Sequence, residues 1–273
     1  MSQQKICFIG AGNMTRSIIS GLIRSGYPAS QVQATNPSQG KLDALAHDFG
    51  VRVSQDNVSA AQDADVIVLS VKPQLMEQVC QALQDIDMSN KLIITIAAGI
   101  KAERYSQYLA QPITLVRTMP NTPMQIGVGM TGLYAPQPLS DAQKAITERL
   151  MSSGGEIVWV NEESEINQVI ALAGSSPAYF FLLMEAMTAA GEKLGLPRDT
   201  AAQLTLHTAL GAARMAVASD VDASELRRRV TSPAGTTEAA INTFQAGGFE
   251  ALVEKALNAA ANRSAELAEQ LGQ

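Results

Sequence analysis

The sequence is poor in the residues that mark several specialised classes of protein. Its 273 residues include only two cysteines and two histidines, and neither set has the spacing of metal ligands or of a disulfide framework. We therefore predict no metal site, and we expect Cys7 and Cys80, which lie within apolar patterns, to be buried. Acidic residues outnumber basic ones by 26 to 20, and the resulting net charge of −6 argues against a nucleic-acid partner.

Long apolar stretches and targeting signals are also missing. No apolar run approaches the roughly 18 residues that a membrane span requires, so we predict no membrane contact. The N-terminus lacks the charged segment, apolar stretch and cleavage site of a secretory signal, which predicts a cytoplasmic protein. One basic cluster is present, Arg227, Arg228 and Arg229. We interpret it as a solvated helix face or an intersubunit contact, with steering of an anionic substrate or cofactor as the alternative.

The first part of the chain alternates apolar strands with helices. We predict strands at residues 6–9, 32–35, 51–53, 66–71, 92–96 and 113–117, with helices after most of them. A glycine-rich strand pair near 127–135, a helix at 141–151 and a strand at 156–160 complete this part. The pattern is typical of an α/β fold with a Rossmann-like, doubly wound parallel sheet. We place this domain at residues 1–163.

The remaining residues are rich in alanine and leucine and show no strand signal, so we predict an all-α domain at residues 164–273. One of its helices is apolar on every face, with Tyr179, Phe180, Phe181, Leu182, Leu183 and Met184 in succession. A domain of this size offers few helices to surround it. We therefore expect an obligate homodimer through the C-terminal helices, and we leave a larger ring of dimers open.

A glycine turn follows the first strand and opens a helix. Its residues are Gly10, Ala11, Gly12, Asn13 and Met14. The first glycine permits the tight turn, and the second lets the backbone approach a pyrophosphate bound by the free N–H groups of the helix N-terminus. This context predicts a dinucleotide site rather than a merely structural turn. Thr15 takes the third glycine position, where we expect slightly looser packing of the helix on the strand.

The end of the second strand indicates which dinucleotide binds. An NAD-selective site usually has an acidic residue there for the ribose 2′-hydroxyl, but this chain has Thr35, Asn36 and Ser38, with Lys41 nearby. Hydroxyls, an amide and a lysine suit a 2′-phosphate, which a carboxylate would repel. We predict NADPH as the cofactor and NADH as a weaker substitute, although a plain polar turn would look similar.

Two further strand ends carry small residues and a lysine. Ser70, Val71, Lys72 and Pro73 follow the fourth strand, and Ala98 lies just after the fifth. Because the carboxyl ends of parallel strands meet at one edge of a sheet, these residues suit a cofactor that runs across that edge. Ordinary strand-to-helix turns are the alternative.

Six motifs, taken in order and spacing, go beyond a generic dinucleotide fold. They are GAGNM (10–14), SVKP (70–73), AAG (97–99), RTMPNTP (117–123), GSSPAY (174–179) and VTSPAGTT (230–237). The set resembles the pyrroline-5-carboxylate reductases, and the last motif is similar to the SPGGTT loop of that family. Ala234 and Ser176 each stand where the family usually has glycine, which bears on loop geometry rather than on chemistry.

The resemblance implies a substrate site in the last motif. Its loop, Ser232, Pro233, Ala234, Gly235, Thr236 and Thr237, would wrap the substrate carboxylate with backbone N–H groups near the dimer interface. A loop of this kind at a helix start is a suitable anion site. Thr237 would be catalytic through a hydrogen bond to the substrate ring nitrogen, with a helix N-cap as the alternative. Glu163 would contact the substrate, and Asn57 would contact the adenosine side of the cofactor.

The implied reaction is the reduction of 1-pyrroline-5-carboxylate to L-proline by NADPH, the last step of proline biosynthesis. The cofactor carries the hydride, so the protein has mainly an orientation task and needs few titratable groups. Another NADP-dependent imine reductase is one alternative. A 3-hydroxyacid reductase is a second, but it needs a lysine base early in the helix after GSSP, where the first lysine is Lys193. A non-catalytic NADPH-binding regulator is the third, and the intact TSPAGTT loop disfavours it.

Overall fold

A computed structural model describes residues 3–271 and divides the chain into two compact units. The first unit runs to Ser175 and also includes the chain from Ala260 onward, whereas the second unit is residues 176–259. The domain boundary that we predict after residue 163 stays a prediction, because these units are defined by compactness and not by role.

The first unit is an eight-stranded sheet with helices on both faces. Its strands are β1 (Ile6–Ile9), β2 (Val32–Thr35), β3 (Arg52–Ser54), β4 (Val66–Leu69), β5 (Leu92–Thr95), β6 (Thr114–Met119), β7 (Gly129–Tyr134) and β8 (Gly155–Trp159). Its helices are α1 (Asn13–Arg24), α2 (Gln39–Phe49), α3 (Asn57–Asp63), α4 (Pro73–Gln81), α5 (Ala102–Tyr108), α6 (Asp141–Ser152) and α7 (Glu165–Val169). Short 3₁₀ turns lie at Ala29–Gln31 and Thr122–Ile126, and a π-helical turn, Ile170–Gly174, follows α7.

The strand order is β3-β2-β1-β4-β5-β6-β7-β8, which confirms the Rossmann-like α/β class. Strands β1 to β6 are parallel, as predicted, but β7 is antiparallel to β6, and β8 is parallel to β7. The predicted strand pair near residues 127–135 is wrong, because one strand occupies this stretch and the residues before it form a 3₁₀ turn. Gly127 is instead the left-handed residue that ends the 3₁₀ turn, and Gly129 is the first residue of β7.

Apolar side chains of the central strands are buried on both faces of the sheet. In β1, Ile6 and Phe8 belong to one core cluster, whereas Cys7 and Ile9 belong to the other. A strand buried on both faces needs a continuous apolar run, which is the pattern in the sequence. Cys7 and Cys80 are buried and free, as expected, and burial raises the pKa of each thiol to about 12. Both thiols are therefore unreactive core residues.

The second unit is built from helices only, in the part of the chain that the structure describes. These are α8 (Ser176–Lys193), α9 (Arg198–Val217), α10 (Ala223–Arg229), α11 (Thr236–Ala246) and the first half of α12 (Phe249–Leu271). Helices α8 and α9 pack closely, since a Cβ added at Gly191 would lie 3.0 Å from the Cβ of Ala201. A turn at Gly195, with a φ of +98°, connects them.

Helix α8 leaves large apolar side chains uncovered within one chain. Phe180, Phe181 and Leu182 are 61%, 63% and 66% exposed. Among the described residues, the run Glu165–Lys193 is long and apolar enough to cross a membrane by length and composition, with only 11% of its apolar window buried. The prediction of no apolar run of this length is therefore wrong for hydropathy averaged over a helix, because such an average tolerates single polar residues. An exposed apolar patch of this size is typical of an interaction surface.

Candidate functional site

The glycine turn after β1 is tightly fixed by its neighbours. The N–H of Gly10 donates to the carbonyl oxygen of Thr35 (2.9 Å), and the hydroxyl of Ser70 donates to the carbonyl oxygen of Gly10 (3.0 Å). Gly10 has a φ of +110°, and a Cβ there would lie 2.6 Å from the backbone oxygen of Ser70. Only glycine fits this position. Thr15 is fully buried, and its hydroxyl donates to the Gly10 carbonyl (2.8 Å), so it fastens the helix to the glycine turn. Looser packing of the helix on the strand stays a prediction.

The N-terminus of α1 is open. Gly12 is the N-cap residue and provides no side-chain hydrogen bond, and no acidic residue lies in the first turn. A Cβ added at Gly12 would meet no atom within 4 Å. Asn13 is also exposed, and Met14 is half-buried. Free N–H groups, an uncapped helix dipole and empty space together fit the pyrophosphate of a dinucleotide.

Polar residues join the glycine turn to the ends of β2 and β3. The side-chain oxygen of Asn36 accepts from the N–H of Ala11 (3.3 Å), and the hydroxyl of Thr35 donates to the side-chain oxygen of Asn57 (2.6 Å). Asn57 begins α3 and is half-buried. Ser38 is the exposed N-cap residue of α2, where it makes no side-chain capping bond. The end of β2 is thus free of carboxylates, which fits a ribose that carries a 2′-phosphate.

The ends of β4 and β5 lie beside this turn in the sheet. Ser70 and Val71 are half-buried and follow β4, Lys72 is the exposed N-cap residue of α4, and Pro73 is the first residue of that helix. Ala98 is half-buried in the turn after β5. The N–H of Ala97, its neighbour, donates to the hydroxyl oxygen of Thr95 (3.2 Å). Small residues therefore line the carboxyl edge of the central strands, as sequence analysis predicts for a cofactor edge.

In the second unit, a tight turn precedes α11. The N–H of Gly235 donates to the carbonyl oxygen of Ser232 (3.0 Å), with Pro233 and Ala234 at the centre of the turn. Ala234 has a φ of +57°, in the left-handed region that favours glycine. An alanine there costs about 1 kcal/mol relative to glycine. This explains physically why a glycine is the usual residue at this position.

Helix α11 begins at Thr236, with Gly235 as an N-cap residue that makes no side-chain bond. The N-cap alternative for Thr237 is therefore wrong, since this half-buried residue is the second of the helix. Its hydroxyl has no hydrogen-bond partner among residues 3–271. The carboxylate of Glu238 accepts from the N–H of Ala234 (2.7 Å) and braces the turn from inside the helix. The turn thus presents uncommitted backbone N–H groups and hydroxyls at a helix N-terminus.

Glu163 is held within the first unit. One of its carboxylate oxygens, Oε1, accepts from Nη1 of Arg117 (2.5 Å) and from the N–H of Ala102 (2.6 Å). Sequence analysis quoted Arg117 in a motif without giving it a role. It also missed Asn121 of the same motif, whose amide donates to the Ala173 carbonyl (3.1 Å) and whose oxygen accepts from the N–H of Met130 (2.9 Å). The sequence signal for both residues is their place in the RTMPNTP motif, with Arg117 within β6 and Asn121 just after it.

No metal centre competes with these sites in residues 3–271, where no three or more His, Cys, Asp and Glu side chains are grouped to hold an ion. The basic cluster on α10 is also accounted for in part. Arg228 and Arg229 both bind Glu225 of the same helix, at 2.6 and 2.8 Å, which favours the solvated helix face.

Two family models match the chain. Residues 5–99 match the model described as NADP oxidoreductase coenzyme F420-dependent, and residues 163–267 match the model described as pyrroline-5-carboxylate reductase dimerisation. The first match covers the glycine turn and the ends of β2, β4 and β5. The second covers the turn before α11 and the apolar helix α8.

Similar proteins match over the whole chain. A pyrroline-5-carboxylate reductase of Pseudomonas aeruginosa is 56% identical over 273 residues, covering 100% of both chains. The structure of a pyrroline-5-carboxylate reductase from Coxiella burnetii has a TM-score of 0.93 and 44% identity, covering 97% of this chain and 99% of that one. A pyrroline carboxylate reductase of Plasmodium falciparum, solved with NADP bound, has a TM-score of 0.85 and 25% identity, covering 98% and 99%.

Proposed function

The chain belongs to the pyrroline-5-carboxylate reductase family, and on that premise we propose how its residues divide the work of the reaction. It reduces 1-pyrroline-5-carboxylate to L-proline with NADPH, the last step of proline biosynthesis. The observation that carries the residue-level proposal is that two helices, α1 and α11, begin at glycine N-caps without a side-chain capping bond. Each offers free N–H groups to an anion, which suits a dinucleotide pyrophosphate at one and a substrate carboxylate at the other.

The first unit would hold NADPH along the carboxyl edge of its sheet. Gly10 to Met14 bind the pyrophosphate, and Thr35, Asn36 and Ser38 surround the 2′-phosphate. Asn57 lies at the adenosine side, and the residues after β4 and β5 line the nicotinamide side; they are Ser70, Val71, Lys72, Pro73 and Ala98. When bound, NADPH supplies the hydride. The protein keeps the end of β2, beside the proposed 2′-phosphate position, free of carboxylates.

The turn before α11 would hold the substrate. Within the loop from Ser232 to Thr236, the N–H groups of Ser232 and Thr236 would bind its carboxylate, because Pro233 has no N–H and those of Ala234 and Gly235 are donated within the turn. The hydroxyl of Thr237, which has no partner within residues 3–271, would donate to or accept from the ring nitrogen. Glu163 stays a proposed substrate contact, but Arg117 and Ala102 already occupy its Oε1, so a substrate would meet its other oxygen. None of these groups needs to act as a strong acid or base, in keeping with an orientation mechanism.

The chain assembles through its dimerisation domain, which covers residues 163–267. We propose a homodimer in which helix α8 supplies the contact, because its phenylalanines and Leu182 are exposed in one chain. A larger ring of dimers is the finer proposal. We also propose a cytoplasmic location.

The reaction is tested with purified protein, 1-pyrroline-5-carboxylate and NADPH, following the absorbance of the reduced cofactor. We expect oxidation that depends on the substrate, forms proline, and is faster with NADPH than with NADH. Proline should inhibit by occupying the substrate site. Protein that binds NADPH without oxidising it would point first to another imine substrate and then to a non-catalytic regulator.

Replacing Ser38 with aspartate should lower the preference for NADPH. A carboxylate at this exposed N-cap repels the 2′-phosphate, so the ratio of kcat/KM for NADPH over NADH should fall by about tenfold. The fold should not suffer, because aspartate is a favourable N-cap residue. Ser38→Asn, a neutral N-cap, is the matched control and should retain the preference. An unchanged ratio in Ser38→Asp would remove Ser38 from the cofactor site.

A further inference from the structure

Arg117 and Glu163 form an ion pair at the carboxyl edge of the sheet. Arg117 lies near the end of β6 with a side chain that is only 8% exposed, and the Glu163 side chain is 29% exposed. Nη1 of the arginine lies 2.5 Å from Oε1 of the glutamate. The arginine Nε is buried and has no hydrogen-bond partner within the described residues. A largely buried pair with an unsatisfied donor contributes little net stability, so its geometry calls for another explanation.

The same glutamate oxygen fixes the start of α5. It accepts from the N–H of Ala102 (2.6 Å), the first residue of that helix, whereas the N-cap residue, Lys101, makes no side-chain capping bond. Glu163 is distant in sequence but performs the capping task that Lys101 does not. Arg117 in turn holds the carboxylate in place, because Oε1 receives both donors.

A second contact fixes the other end of the same turn. The hydroxyl oxygen of Thr95, at the end of β5, accepts from the N–H of Ala97 (3.2 Å) and is hydrogen-bonded to the hydroxyl of Tyr105 in α5 (2.7 Å). Both side chains are fully buried. The turn from Ala97 to Lys101 is therefore held at its two ends, by Thr95 and by Glu163. Gly99, with a φ of +76°, lies between the anchors.

We propose that Arg117 and Glu163 are a positioning pair, which sets the turn between β5 and α5 and thereby aligns the nicotinamide side of the cofactor site for hydride transfer. The inference rests on the proposed placement of the nicotinamide beside Ala98. In this role the pair acts through Oε1 of Glu163 and the backbone of the turn, separately from the substrate contact proposed for the other Glu163 oxygen. A displacement of about 1 Å in a reacting group costs up to about a hundredfold in rate. A residue pair that fixes the position of this turn can therefore affect the rate of hydride transfer without taking part in it.

The central test compares Glu163→Ala with Glu163→Gln. The alanine variant loses both hydrogen bonds, so kcat should fall about ten- to hundredfold, whereas the Kd for NADPH should change less than about threefold. A rise in the substrate KM would report the separate substrate contact proposed for the other Glu163 oxygen. The glutamine variant keeps an acceptor oxygen and should recover most of kcat. Glu148→Ala is the matched control, because that carboxylate also accepts an N–H bond, from Trp159 (2.8 Å), and is 37% exposed. Its kcat should equal that of the wild type.

A readout without turnover is hydrogen exchange in the cofactor-free protein. Exchange at Ala97 to Ala102 should be faster in Glu163→Ala than in the wild type or Glu148→Ala. Arg117→Lys, which keeps the charge but shortens the reach, should show a smaller increase. Unchanged exchange with unchanged kcat overturns the inference. Unchanged exchange with a raised substrate KM also overturns it, because Glu163 would then be a direct substrate contact.

Failure of this inference is distinguishable from failure of the proposed site. If Thr237→Val loses turnover while Glu163→Ala retains it, only the positioning role is lost. If Thr237→Val also retains turnover, the proposed substrate site itself is wrong, and the exchange measurement still decides whether Glu163 holds the turn.

Discussion

Replacing Gly12 with alanine should leave the fold intact and weaken NADPH binding about ten- to hundredfold, through the loss of hydrogen bonds worth about 1.5–3 kcal/mol. Gly12 has an ordinary φ of −82°, and an added Cβ would meet no atom within 4 Å. The methyl group would therefore occupy space that the protein leaves empty. That space lies at the uncapped N-terminus of α1, where the pyrophosphate must approach the backbone closely.

Titration of NADPH against the two proteins, followed by the fluorescence of the reduced nicotinamide, gives the ratio of Kd values, and urea unfolding gives the stability. Gly10→Ala is the informative comparison. Its Cβ would lie 2.6 Å from the Ser70 oxygen at a φ of +110°, so we expect a stability loss on the order of 3 kcal/mol. Wild-type affinity in Gly12→Ala would show that the pyrophosphate does not approach this turn.

The second large effect is expected for Thr237→Val, which removes one hydroxyl and keeps the shape. If the hydroxyl binds the ring nitrogen in the transition state, kcat should fall about ten- to hundredfold while the Kd for NADPH stays constant. Stability should change little, because the hydroxyl has no partner among the described residues and a valine in the first turn of a helix is tolerated. Steady-state kinetics with both substrates varied separates the two parameters.

The same helix contains its own control. Thr243 lies in α11, where its hydroxyl donates to the carbonyl oxygen of Ala239 (2.9 Å). Thr243→Val makes the same chemical change away from the turn and should retain full turnover. Equal activity in both variants would remove the catalytic role from Thr237, whereas a loss in both would mean that helix stability, not the hydroxyl, controls turnover.

Local sequence patterns predict most of the strands and helices of the first unit. Apolar runs predicted β1, β4 and β5 because these strands are buried on both faces, and the glycine turn predicted α1. The direction of β7 was beyond reach, since an apolar run does not indicate which way a strand lies in a sheet. The glycines at 129 and 155 are instead required by the close approach of β7 and β8. A Cβ at Gly155 would lie 2.0 Å from the Gly129 oxygen, so a residue with a side chain does not fit there.

The candidate site also combines features that a local sequence pattern predicts with contacts that it does not predict. Glycines, hydroxyls and the missing acid at the β2 end are local features, and they predicted a cofactor edge before any fold was known. The contacts of Glu163 with Arg117 and Ala102 join residues 46 and 61 positions apart, and no local pattern pairs them. The N-cap alternative for Thr237 is wrong because threonine is a commoner N-cap residue than the glycine, Gly235, that takes this position.

The division of the chain has a consequence for the order in which it can fold. The first unit includes the end of α12, where the hydroxyl of Ser264, itself 6% exposed, donates to the side-chain oxygen of Asn167 (2.8 Å). During synthesis the ribosome completes the whole sheet early, yet it releases this last segment only after every residue of the second unit. Until translation ends, the cofactor-binding unit therefore lacks the second half of α12, and the surface of α7 that contacts Ser264 stays exposed. A chain that stops before residue 260 lacks the second half of α12, and with it a piece of its first unit.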